Sequence, residues 1–306
     1  MRSPARILVL FLGVLLLGGI FVLAQENVFR MDVRLVRLLV TVKDSAGGLV
    51  GSLNKQDFTV LDDGVPQTVS VFERRTEQPL SIAVMVDTSG STAKDLHYEL
   101  DSVSRFLHAL LREGNPEDAA ALYSFNWQVT LQAAFTRRID QLEYRLRRLR
   151  SEGGTSLYDA VYLASRSTEG RDGRHVLVVV TDGGDTTSDI DFNAALEAAQ
   201  LAETIIYPIL VIPIANDAGR NTGGEHALTT IAQRTGGRVF APSLGPSLDA
   251  AFDEILRELR TQYYLGFYPQ NVPPTKNRFH MIAVKVSRPG LHVFTRSGYY
   301  GEASGQ

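Results

Sequence analysis

Ile82-Ala83-Val84-Met85-Val86-Asp87-Thr88-Ser89-Gly90-Ser91 is an apolar run of strand length that stops abruptly at an aspartate, with serine hydroxyls two and four residues further on. A pattern of helical spacing follows from about Ala93 to Leu111. Strand, short polar loop and helix together form the unit that carries side chains to the carboxyl end of a parallel sheet, where open α/β proteins bind their ligands. Asp87, Ser89 and Ser91 all offer oxygen, and alternation along the loop lets them meet at one point. Hard cations such as Mg²⁺ take oxygen ligands of this kind.

Two stretches downstream extend the pattern. Gly153-Gly154-Thr155-Ser156-Leu157-Tyr158-Asp159-Ala160 is a Gly-Thr loop running into a helix, and Val176-Leu177-Val178-Val179-Val180-Thr181-Asp182-Gly183 is a second apolar strand ending in Thr-Asp-Gly. With these two pieces, in this order, the D-x-S-x-S spelling resembles the metal-ion-dependent adhesion site of von Willebrand factor type A domains. The resemblance implies a Rossmann-like α/β fold, a mostly parallel central sheet with helices on both faces. It also implies a divalent cation, Mg²⁺ or else Mn²⁺ or Ca²⁺, bound directly by Ser89, Ser91 and Thr155 and partly through water by Asp87 and Asp182. Such an ion is left under-neutralised, which favours an acidic residue from a protein partner. Each residue taken singly has a plainer reading. Ser89 or Ser91 can cap the following helix, Asp182 before Gly183 can make a turn, and Ser156-x-x-Asp159 fits a capping box.

Composition narrows the classes. The chain has 306 residues, 44% of them hydrophobic, which is ample for a core. Its 34 acidic and 31 basic side chains nearly balance, at a formal net charge of −3. A nucleic-acid or anionic-membrane footprint would be plainly basic. Cysteine is absent, so no disulfide, thiolate nucleophile or zinc-thiolate site is possible. The six histidines show no H-x-x-x-H pairing, which argues against a zinc enzyme.

Outward from the central stretch, the two flanks differ from the middle. Arg2 and Arg6 precede an uncharged apolar run from Ile7 to Leu23 that ends Val22-Leu23-Ala24-Gln25. This describes a secretory leader over residues 1–24, cleaved after Ala24, with an uncleaved anchor as the alternative. Either way the chain is exported, to periplasm, envelope or medium, and meets a membrane only through this segment. Residues 25–79 read as strands. Phe58–Leu61 and Thr68–Phe72 flank Asp62-Asp63-Gly64-Val65-Pro66, a hairpin signal because both turn positions need positive φ. Asp62 and Asp63 read there as turn residues rather than a calcium site.

Residues 80–260 alternate strands and helices, the mark of a parallel sheet covered on both faces. Further strands are expected at Ala119–Phe125, Gln128–Phe135, Ile205–Ile214 and Arg238–Ala241. Helices are expected over Ile139–Leu149, Leu157–Ser167, Phe192–Thr204, Ala227–Thr235 and Leu248–Arg260, with a flexible loop over Asn216–Glu225. Residues 261–306 return to strand character. The α/β domain is therefore expected to be inserted between β-rich N- and C-terminal flanks. Those flanks, D-F-T-V-L-D-D-G-V-P-Q before and Y-Y-L-G-F-Y-P with R-P-G-L and G-Y-Y after, resemble bacterial exported "VWFA-related domain" proteins.

Enzymatic readings fare poorly. Asp87-Thr88-Ser89-Gly90 superficially resembles the D-T-G of aspartic proteases, but Ser89 interrupts the triplet and Asp182-Gly183 lacks its middle residue. No general base, nucleophile elbow or P-loop accompanies the site. An intracellular A-domain partner of an AAA+ ATPase is opposed by the leader. The expected function is an exported, non-enzymatic, metal-dependent protein-binding or adhesion module, with an envelope-assembly or scaffold role as the alternative and a hydrolase as a more distant one.

Overall fold

The computed structural model describes residues 35–74, 77–211, 222–273, 275 and 278–301. The leader expected over residues 1–24 lies outside the described residues, as does the 216–221 part of the expected loop. Among the described residues no helix is long and apolar enough to cross a membrane.

The chain begins with β1 (Val36–Asp44), β2 (Phe58–Asp62), β3 (Val65–Gln67) and β4 (Val69–Glu73). The apolar run is β5 (Leu80–Asp87), which passes through a 3₁₀ turn at Gly90–Lys94 into α1 (Leu96–Glu113). The helix starts later than its apolar spacing predicts. The Thr92 hydroxyl donates to the carbonyls of Ser89 and Asp87 at 3.0 and 3.3 Å, which tightens the first turn. Then come β6 (Ala119–Phe125), β7 (Val129–Thr136), α2 (Ile139–Leu146), α3 (Leu157–Thr168), β8 (Arg174–Thr181), α4 (Phe192–Leu201), β9 (Thr204–Leu210), α5 (Thr222–Thr235) and α6 (Pro246–Thr261). The chain closes with β10 (Tyr263–Phe267), β11 (Phe279–Val286), β12 (Leu291–Phe294) and β13 (Gly298–Tyr300).

Five strands form the central sheet in the order β7-β6-β5-β8-β9. β5, β6, β8 and β9 pair in parallel, and β7 turns back antiparallel at the edge beside β6. Every residue of β5, β8 and β9 is buried. Strands covered on both faces read as continuous Val, Ile and Leu runs rather than as alternation. One face places Ile82, Val84 and Val86 with Val176, Val178 and Val180 against α1, α2 and α6. The other places Ala83 and Met85 with Leu177 and Val179 against α3, α4 and α5. Fully burying each Val or Ile is worth roughly 1.5–3 kcal/mol, so this two-sided core dominates the domain's stability.

Two four-stranded sheets, β12-β1-β10-β4 and β13-β11-β2-β3, are built from segments at both ends of the described chain. β10 lies antiparallel between β1 and β4, and β11 pairs with β2. Val36, Leu38, Val40 and Val42 alternate inward from β1 to meet Phe58, Val60, Leu265, Phe267 and Ile282. The buried Tyr263 hydroxyl accepts from the Leu53 amide at 2.9 Å and donates to the Val50 carbonyl at 2.8 Å, pinning the 49–54 loop over this core.

Local differences from the sequence reading have physical causes. The Asp63-Gly64 turn joins β2 to β3, whereas Val69–Glu73 leaves that sheet to pair with β10. Pro66 lies on β3, an edge strand, where its missing N–H costs least. Arg238–Ala241 is not a strand: Phe240 alone bridges to Ile209. Residues 222–226, expected mostly as loop, already belong to α5.

Candidate metal centre

The carboxyl ends of β5, β6 and β8 deliver their following loops to one place, and hydrogen bonds tie those loops together. The Thr88 amide donates to the Phe125 carbonyl at 2.8 Å, and the Glu152 amide to the Thr88 carbonyl at 2.8 Å. The Ser156 amide donates to the Asn126 carbonyl at 2.6 Å, while the Thr155 carbonyl accepts from the amides of Thr186 and Thr187 at 2.8 and 3.2 Å. Gly153 and Gly154 permit this approach. A Cβ on Gly154 would lie 2.7 Å from Thr187 Cγ2, and one on Gly153 would lie 3.2 Å from the Trp127 ring.

Asp87 ends β5 and is 0% exposed. Its Oδ1 accepts from the Ser89 amide at 2.8 Å, and its Oδ2 accepts from the Thr181 hydroxyl at 2.6 Å. The second bond reaches across from the end of β8, so β5 and β8 are joined at their tips. Ser89 and Ser91 Oγ lie 3.0 Å apart. Neither serine side chain caps a helix: Ser89 precedes the 3₁₀ turn without a side-chain cap, and α1 starts from Asp95. Thr155 is buried and fixed through its backbone, its amide donating to Thr186 Oγ1 at 2.8 Å. Asp182 follows Thr181 and is partly exposed. Asp87, Ser89 and Ser91 are thus bonded to one another, while Thr155 and Asp182 sit on the adjoining loops.

The expected capping box at Ser156 and Asp159 is absent. Ser156 makes no side-chain cap, and its hydroxyl instead pairs with Thr187 Oγ1 at 2.9 Å. The Asp159 carboxylate accepts from the amides of Ile190 and Asp189 at 2.8 and 3.2 Å. At the start of α3, the amides of Tyr158 and Asp159 donate to the Ser188 hydroxyl at 3.1 Å, and Tyr158 also donates to Asp185 Oδ1 at 3.2 Å. Asp159 and Asp185 therefore hold the 182–190 loop against α3.

Electrostatics mark the same place. Burial, with the Asp182 charge adding to it, pushes the Asp87 carboxyl up to about 6 against the hydrogen bonds from Thr181 and Ser89. Glu99, in the first turn of α1, is 1% exposed, and its Oε2 has no hydrogen-bond partner. Burial and the charges of Asp87, Asp182 and Asp95 push its carboxyl up to about 8. Sequence reading missed Glu99, though a signal was present: it falls on the apolar stripe of α1 marked by Leu96, Val103 and Phe106. Trp127, between β6 and β7, is 50% exposed beside the 153–154 loop. Buried carboxylates beside uncharged hydroxyls are a hard-oxygen donor set short of positive charge, which a divalent cation fits.

A family model described as the von Willebrand factor type A domain matches residues 82–184. No curated protein matches the chain. Among solved structures, the vWF domain of the type V pili tip protein Mfa5 from Porphyromonas gingivalis is similar at 15% identity, with 59% of this chain and 94% of that one covered and a TM-score of 0.50. BatB from Bacteroides thetaiotaomicron aligns at 19% identity over 59% of this chain and 98% of its own, with a TM-score of 0.48. The PilB minor pilin from Streptococcus sanguinis aligns at 12% identity over 61% and 62%, with a TM-score of 0.47.

Proposed function

Because the chain carries a von Willebrand factor type A domain, matched over residues 82–184, we propose that it is an exported, non-enzymatic binding module whose domain engages a protein partner through a divalent cation. Asp87, Ser89, Ser91, Thr155 and Asp182 would hold that cation, with Mg²⁺ favoured by the all-oxygen donor set and Mn²⁺ or Ca²⁺ as substitutes. The observation that carries this reading is Asp87, a fully buried carboxylate between the Ser89 amide and the Thr181 hydroxyl, with Asp182 next in sequence to that threonine. A bound cation would supply a coordination position for an acidic side chain of the partner.

The chain's own residues do the rest. Thr181 and the Ser89 amide fix the Asp87 carboxylate, and the 152–156 loop is held by Thr88, Asn126 and Thr186. Trp127, half-exposed beside that loop, offers an aromatic anchor of the kind that dominates binding energy at interfaces. Adhesion is one use of such a surface, and a scaffold role in envelope assembly is another. Export rests on the Arg-flanked apolar run ending at Ala24.

Calorimetric titration of Mg²⁺ and Mn²⁺ into wild type, Asp87→Ala and Thr155→Ala tests the site. Both variants should lose metal affinity while keeping the fold, since the apolar residues Ile82–Val86 and Val176–Val180 of the core strands are untouched. Equal affinity in all three would remove the basis of the reading. Capture of partners from envelope extract, with and without chelator, then tests whether binding depends on the cation.

A further inference from the structure

The β-rich flanks hold a second cluster of ligating groups, far in sequence from the first. Asp62 ends β2, Asp63 opens the turn after it, and His280 lies on β11, and one ligand atom from each falls within 4.8 Å of the others. Asp62 is 0% exposed, and its Oδ1 is buried with no hydrogen-bond partner. That oxygen lies 3.6 Å from His280 Nδ1, and Asp63 Oδ2 lies 2.9 Å from the same nitrogen.

Each group is oriented by a neighbour that leaves one atom free to face the cluster. The Tyr299 hydroxyl donates to Asp62 Oδ2 at 2.7 Å, leaving Oδ1. The Met281 amide donates to Asp63 Oδ1 at 2.9 Å, leaving Oδ2. The Tyr299 ring stacks on the His280 imidazole, with centroids 5.1 Å apart and planes at 17°, which sets the ring's direction. Metal-binding carboxylates and imidazoles are held by such outer contacts. A buried carboxylate oxygen with no donor is otherwise costly, and burial holds the Asp62 carboxyl above its usual range despite the Tyr299 bond and the nearby imidazole.

We infer that Asp62, Asp63 and His280 form a second divalent-cation site, selective for a late first-row ion such as Zn²⁺ over Mg²⁺. Donors about 2.1 Å from one ion stand roughly 3.0–3.4 Å apart at octahedral and tetrahedral angles; the two separations to His280 Nδ1, 2.9 and 3.6 Å, bracket that range, and the two carboxylate oxygens lie within 4.8 Å of each other. The imidazole nitrogen is what separates this site from the all-oxygen one, since nitrogen donors suit zinc and its neighbours and not magnesium. The ion takes the place of the proton between His280 Nδ1 and Asp63 Oδ2, and the neutral imidazole then carries its one proton on Nε2. Asp63 and His280 are partly exposed and provide the entry, and the remaining coordination positions fall to water. The consequence is a staple joining β2 and β11, which come from opposite ends of the chain.

The test uses the purified protein carrying Asp87→Ala, so that the first site cannot contribute. Titration of Zn²⁺ should show one equivalent bound and a raised melting temperature, with Mg²⁺ giving no response. Adding His280→Gln, or Asp62→Asn, should weaken zinc binding at least about tenfold. If Asp62→Asn does not fold, His280→Gln decides, because that ring lies towards the surface. No zinc binding to the Asp87→Ala protein, or affinity unchanged by His280→Gln, overturns the site. Either result leaves the proposal for Asp87 standing, because that one fails only if Mg²⁺ affinity survives Asp87→Ala.

Discussion

Thr181 donates to the Asp87 carboxylate at 2.6 Å from a neighbouring strand, and both groups are buried. Replacing Thr181 by Val keeps the shape and removes the donor. One carboxylate oxygen is then left without a partner, at a cost of about 1–3 kcal/mol. Denaturant titration should show that loss, and Mg²⁺ affinity should fall with it as Asp87 loses its fixed orientation. Glu99 behaves in the opposite sense. Its carboxyl sits at about 8 when folded against an ordinary 4.5, because of burial first and then its acidic neighbours. The folded state therefore holds that proton more tightly than the unfolded chain does. The associated stability is fully present below about pH 4.5 and is lost as pH rises through 8. Glu99→Gln should leave metal-free protein little changed at pH 5 and more stable at pH 9, by an amount on the order of a few kcal/mol. A gap that does not widen with pH would show that Glu99 is not the titrating group. Among the candidate donors of the first site, Asp87, Ser89, Ser91 and Asp182 are legible because each ends or follows an apolar strand, and Thr155 because it lies in a Gly-Thr loop that runs into a helix. Asp62 and His280 are not, because 218 positions separate them in the chain and only strand pairing brings them together.

The elements around the first site are short loops whose geometry depends on missing side chains as much as on those present. Gly154 has no room for a Cβ: Thr187 Cγ2 and Oγ1 would lie 2.7 and 2.9 Å away. Gly154→Val should push the 151–156 and 182–188 loops apart. The expected outcome is weaker Mg²⁺ binding by calorimetry, by more than tenfold, with a melting temperature shifted by only a few degrees because the core strands are untouched. Helices of the central domain are legible from periodicity, since their apolar stripes pack on one sheet, and its buried strands from their continuous apolar runs. The flanks are less so. Val69–Glu73 has the alternation of a hairpin strand, yet it pairs with β10 and not β2. Alternation reports which face is buried and says nothing of the partner. Arg238–Ala241 failed as a strand for a related reason. Arg238 turns to Glu254 and Glu258 on α6 and lies over the Phe240 ring at 3.8 Å, so side-chain contacts hold the segment where a backbone ladder was expected.

At the scale of the molecule, β1 is hydrogen-bonded on one side to β10 and on the other to β12. Deleting residues 263–306 would remove both partners of β1 and expose Leu38, Val40 and Phe58, which the closing strands cover. We propose that the flanks form one β-rich subdomain with the α/β domain inserted in it. Limited proteolysis should then find new cleavage within residues 36–73 of the truncated protein and none there in the full chain. Continued protection would mean that the first flank packs on its own. Lys43 adds a charged joint between β1 and α6, its ammonium 2.9 and 2.7 Å from Glu254 and Glu258. The pairing of Glu73 with Tyr264 carries one more consequence. The chain enters and leaves the α/β domain on adjacent, hydrogen-bonded strands. Tension applied along the chain between residues 35 and 301 would pass through the flanking sheets and across that pair, bypassing the domain between them. In a pulling experiment the flanks should yield first, and the face proposed to bind metal should keep its shape until they do. A protein that must hold a partner while being stretched would have its binding surface off the line of force.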